Sequence, residues 1–124
     1  MRRDLDLVRN ILLHIEGKHE AASIQKLDFD AFNGFTQKVI YEHARLLREA
    51  GYLRDTKQVL GMSVMVSGLT WKGHDFLDSV RDPQVWAETK DAANKVGGWT
   101  VSLVSEIAKG LIKTKIKQHT GVEL

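Results

Sequence analysis

The chain contains no cysteine. That absence excludes disulfides, thiol catalysis and cysteine-ligated zinc or iron–sulfur sites. A single proline and ten glycines exclude collagen-like and proline-rich architectures. No run of 18 apolar residues occurs, and Arg2, Arg3 and Asp4 place charge where a signal peptide continues apolar. The expectation is a soluble, cytoplasmic chain with no membrane partner. A dominant charge is missing as well: 18 Lys+Arg face 16 Asp+Glu, a formal net of +2. Such a balance does not by itself announce a nucleic-acid binder. What remains is 124 residues, 43% hydrophobic and 27% charged, enough for one domain with an appendage.

Hydrophobic periodicity divides this length into elements. Leu5, Val8, Ile11, Leu12 and Ile15 recur at helical spacing within Arg3–Glu16, with Asp4 as N-terminal cap and Gly17 as stop. Lys18–Ser23 reads as a polar connector. Ile24–Phe32 keeps an approximate period of two and leads to the turn signal Asn33-Gly34, which predicts a short strand or extended arm. From Thr36, a cap, the period turns helical again through Val39, Ile40, His43, Leu46, Leu47 and Ala50, ending at Gly51. Tyr52-Leu53-Arg54 opens a strand, Asp55–Gly61 turns, and Met62–Leu69 forms a second strand with Val64 and Val66 on one side. Thr70 caps a helix ending by Arg81. Asp82-Pro83 starts another that stops at Gly97-Gly98, and Trp99–His119 is the last amphipathic helix.

Helix, short strand, helix and hairpin, in that order, predict an α+β fold. The expected architecture is a winged helix-turn-helix core over 1–82 with a β-hairpin wing, followed by two additional C-terminal helices over 83–124 for packing or dimerisation. A short or absent middle helix fits between Phe29 and Phe35. Several stretches, taken in order, carry a resemblance. They are Arg2-Arg3-Asp4-Leu5-Asp6-Leu7-Val8-Arg9, then Tyr41-Glu42-His43 with Leu46-Leu47 and Ala50-Gly51, then Leu69-Thr70-Trp71-Lys72-Gly73-His74-Asp75-Phe76-Leu77-Asp78-Ser79-Val80-Arg81-Asp82, and finally Val85-Trp86 with Lys90. Together they resemble a domain-of-unknown-function family of small bacterial and prophage proteins with a winged-helix-like core. The resemblance implies phage or mobile-element origin and that fold; it supplies no activity.

Two kinds of partner follow from this reading. Double-stranded DNA is one: the second helix presents Lys38, Arg45 and Arg48 outward, and Lys57 sits in the wing. Residues 36–57 hold five cations against three acids, whereas 1–82 hold twelve of each, which limits phosphate-driven affinity. A host protein is the other, the chain then serving as an inhibitor or accessory factor. The apolar stripe of the C-terminal helix, Val101, Val104, Ile107, Ala108, Leu111, Ile112 and Ile116, must cover itself within the chain or join a homodimer. Its second stripe, Lys109, Lys113 and Lys117, has the chemistry of an anionic contact, although Glu106 and Glu123 offset it.

Enzymatic activity is not expected. The histidines His14, His19, His43, His74 and His119 are scattered, without a His-Glu-x-x-His motif or a phosphate-cradling glycine loop. No cofactor and no metal are therefore expected. His74 and Asp78, four apart, are placed for a structural hydrogen bond, and His43 for a packing role beside the apolar stripe. Trp71, Trp86 and Trp99 read as core or interface anchors.

Overall fold

The computed structural model describes residues 1–18, 25–54, 57–59 and 63–124, with the backbone alone described at 57–59 and 63. The connector from 19 onward, Ile24, Asp55, Gly61 and Met62 lie outside the described residues. The fold is mostly helical, with a small antiparallel sheet, and divides into two compact units, Met1–Asp75 and Phe76–Leu124.

In the first unit α1 spans Leu5–Lys18. Asp4 caps it, its carboxylate accepting from the Leu7 amide at 2.9 Å. Gly17 does not stop the helix as expected; helical backbone carries through it to Lys18. One apolar face, Leu7, Val8, Ile11, Leu12 and Ile15, is buried, each large side chain stabilising the fold by about 1.5–3 kcal/mol. The expected strand at 24–32 contracts to β1, Gln25–Lys26, followed by a 3-10 turn at Phe29–Ala31. The Asp28 carboxylate accepts from the Asp30 amide at 3.0 Å. This local bond turns the backbone out of the extended conformation.

Helix α2 spans Gln37–Glu49, capped by the Thr36 hydroxyl on the Val39 amide. It buries Ile40, His43, Ala44 and Leu47 and packs against α1 and the sheet. Gly51, at φ +87°, makes the left-handed turn out of the helix. Strand β2, Lys57–Val59, pairs antiparallel with β3, Ser63–Val66, and β3 also pairs with β1, giving the order β1-β3-β2. The turning portion expected across 55–61 thus contains a strand. The isolated Leu53–Leu69 bridge is antiparallel and in the same register as the β2–β3 pairs. Val64 and Val66 are buried while Met65 is half-exposed, as the alternation requires.

Helix α3, Trp71–Val80, begins in the first unit and ends in the second. Thr70 donates its hydroxyl to the Gly51 carbonyl and accepts from the Gly73 amide at 3.0 Å. The Thr70 amide reaches the Tyr52 carbonyl at 3.2 Å. A Cβ at Gly73 would overlap that carbonyl oxygen, so close approach of two backbones makes glycine necessary there.

In the second unit α4, Pro83–Lys95, starts on an Asp82 cap that accepts from the Val85 amide at 2.9 Å. Helix α5, Val101–Thr120, is capped by Thr100 and packs along α4. Val85, Trp86, Thr89 and Ala93 of α4 are buried, as are Val104 and Ala108 of α5. A Lys115–Glu88 pair at 3.6 Å joins the two helices.

Candidate nucleic-acid interface

Helix α2 sorts its side chains by chemistry. Opposite its buried face, Gln37, Lys38, Arg45, Arg48 and Glu49 are exposed, with Tyr41 and Glu42 half-exposed. Lys38, Arg45 and Arg48, spaced seven and three apart, share one side of the helix over about 15 Å. The structure therefore brings three of the sequence-derived candidates together on one open surface. Lys57 starts β2, its backbone opposite Met65; its side chain lies outside the described residues.

The three cations are not equivalent. Arg45 forms a fork with Glu42 at 2.9 Å and a second pair with Glu49 at 3.3 Å. The hydrogen bond from Arg45 holds the Glu42 carboxyl below its ordinary value, and the same pair raises Arg45 further. Lys38 and Arg48 form no ion pair among the described residues. They are the cations of this surface not held in a close ion pair, although Glu42 attracts Lys38 electrostatically. The i,i+3 and i,i+4 spacing of the two glutamates from Arg45 is present in the sequence, but net charge alone does not reveal the pairing.

His43 is 1% exposed, and it does more than pack. The Asp4 amide donates to its Nε2 at 2.7 Å, so Nδ1 carries the proton and donates to the Val39 carbonyl at 2.8 Å. One imidazole thus ties the segment before α1 to the second turn of α2. His74 departs from expectation: its Nδ1 lies 3.5 Å from Glu16 on α1, while Asp78 pairs with Arg81 at 2.8 Å. His14 packs edge-on against Phe32, ring centroids 5.2 Å apart. Partial burial lowers its pKa from 6.5, and Lys18 adds to the shift.

The tryptophans divide. Trp86 is buried, whereas Trp71 is 84% exposed and anchors nothing in the core. Beside Trp71, Lys72 donates to the Ala50 carbonyl at 3.2 Å and lies 4.8 Å from the Tyr52 ring centroid. Burial raises the Tyr52 phenol above its ordinary value. Among the described residues no group of three or more His, Asp or Glu could hold a metal ion. No helix there is long and apolar enough to cross a membrane.

Comparison with known proteins adds a family. A model for the family described as "Hypothetical protein (DUF2513)" matches residues 2–100, from the segment before α1 to the cap of α5. A Haemophilus influenzae protein printed as "Uncharacterized protein" is 33% identical over 115 residues, covering 90% of this chain and 96% of the relative. No solved structure matches. On the extent of these two matches, the chain belongs to the DUF2513 family of small bacterial proteins.

Proposed function

We propose that the chain is a non-enzymatic, DNA-binding regulatory protein of winged-helix type, acting in the cytoplasm. In this reading α2 enters a duplex groove and the β2–β3 hairpin serves as the wing. The observation that carries it is topological. The hairpin that follows α2 folds back beside β1 in the order β1-β3-β2, and the outer face of α2 stays exposed. Lys38 and Arg48 contact phosphates directly, Arg45 does so only on leaving Glu42 and Glu49, and Lys57, at the start of β2, is the wing residue assigned to the duplex. The test is retention on duplex DNA across a salt series. The triple substitution Lys38→Gln, Arg45→Gln, Arg48→Gln is expected to weaken binding and flatten its salt dependence. Wild-type protein that shows no salt-sensitive binding at low ionic strength would end this reading.

Trp71 favours a second reading, a protein-interaction module. A largely exposed indole offers the side-chain type that most often dominates binding at protein interfaces. Under it, a nuclease-treated bacterial lysate yields a partner that wild type retains and Trp71→Ser loses. Equal retention by both proteins would count against it.

A further inference from the structure

The chain has three asparagines, Asn10, Asn33 and Asn94, and all three are exposed. Their backbones differ. Asn10 lies inside α1 and Asn94 inside α4, so the peptide unit that follows each is held in helical backbone. Asn33 stands in the turn between the 3-10 segment and the Thr36 cap, and the residue after it is Gly34. Among the described residues neither the Asn33 side chain nor the Gly34 amide is engaged in a hydrogen bond. Gly34 is exposed at φ +87°, and the place a Cβ would take there is open out to 4 Å. The Gly34 nitrogen is thus neither tied to an acceptor nor flanked by a side chain of its own.

We propose that Asn33-Gly34 is a site of spontaneous covalent modification, at which the asparagine is converted to aspartate and isoaspartate. The reactants are one side-chain amide, one backbone amide and water. The Gly34 nitrogen attacks Asn33 Cγ: the N–Cγ bond forms, Cγ–Nδ2 breaks, and Nδ2 leaves as ammonia with the Gly34 amide proton. A cyclic imide results. Water then opens it at either carbonyl. Cleavage of N–Cγ yields aspartate, and cleavage of the bond to the main-chain carbonyl carbon yields isoaspartate. No oxidant or reductant takes part. Ring closure requires the main chain at 33–34 to leave its resting geometry, which an unbonded turn with a glycine permits. A helix opposes it, so at Asn10 and Asn94 a local opening must come first. Either product replaces a neutral amide by a carboxylate, lowering the formal net charge of +2 by one. The isoaspartate form also adds one carbon to the main chain, three residues ahead of the α2 cap. This chemistry does not depend on the DNA-binding reading.

The test incubates the folded full chain at mildly alkaline pH, with a guanidinium-unfolded sample in parallel. Proteolytic peptides are then separated and weighed, isoaspartate being distinguished by its elution and fragmentation. In the folded chain, conversion at Asn33 is expected to outpace that at Asn10 and Asn94 by at least about tenfold, a barrier difference of about 1.4 kcal/mol. Unfolding is expected to speed conversion at Asn10 and Asn94 and to leave the rate at Asn33 nearly unchanged, because the helical sites alone lose protection. Asn33→Ser should remove the isoaspartate signal from the peptide spanning 33–34. Gly34→Ala should slow its appearance, since a methyl group then flanks the attacking nitrogen. Circular dichroism establishes that each variant is folded; should Gly34→Ala fail to fold, Asn33→Ser and the two incubations decide the question. An Asn33 that stays intact in the folded chain while converting in the unfolded one overturns the proposal, because the turn then protects it. Isoaspartate that persists in the same peptide of Asn33→Ser overturns it too.

Discussion

Single atoms decide several features of this chain. At Gly73 the missing Cβ lets the first turn of α3 lie against the Tyr52 carbonyl. Gly73→Ala must push the two backbones apart, an overpacking expected to cost about 1–3 kcal/mol, measurable as a lower urea midpoint. Gly34→Ala would meet nothing within 4 Å, yet it is strained for another reason, a φ of +87°. His14 supplies a pH signature. The unfolded chain takes up a proton at the ordinary value of 6.5, while the folded chain does so only at lower pH, because burial and Lys18 disfavour the charged ring. The contribution is complete above 6.5, shrinks as pH falls below it, and levels off under the folded value. His14→Gln is therefore expected to reduce the drop in melting temperature between pH 7.5 and 5.5, as read by circular dichroism.

At the level of elements, capping made most boundaries legible. Thr36, Thr70 and Asp82 start helices where a cap followed by an apolar period indicated, and Thr36→Ala or Asp82→Ala should each cost about 1 kcal/mol of unfolding free energy in denaturant titration. The same reasoning failed over 24–32 and 55–61. In the first stretch, alternation of hydrophobicity continued past the point where Asp28 bends the backbone. In the second, polar side chains concealed β2, whose pairing is a backbone property set by register with β3. The candidate surface was half legible. Periodicity placed Lys38, Arg45 and Arg48 on one side of α2, but the Glu42–Arg45–Glu49 network depends on rotamers that periodicity does not describe. Glu42→Gln with Glu49→Gln releases Arg45, so duplex affinity and salt slope are both expected to rise in filter binding, whereas helix content stays unchanged.

For the molecule as a whole, modest net charge sets the scale of any polyanion contact. With about two to four phosphates engaged, the slope of log affinity against log salt should fall between about −2 and −4, well short of strongly basic DNA binders. Helix α5 adds a second quantity to measure. Val104 and Ala108 are covered, while Leu103 remains 40% exposed and Ile107, Leu111, Ile112 and Ile116 are half-buried. If this stripe joins two copies, sedimentation equilibrium gives about twice 14.0 kDa and Leu103→Glu returns the mass to one chain. The sequence motif around Thr70 has a mechanical reading. Gly51, Tyr52, Thr70 and Gly73 meet where α2 ends, the hairpin begins and α3 starts, so these parts share a single knot of main chain. A load on the base of the hairpin at Tyr52 has a direct route, through the Thr70 hydrogen bonds, to the opening turn of α3.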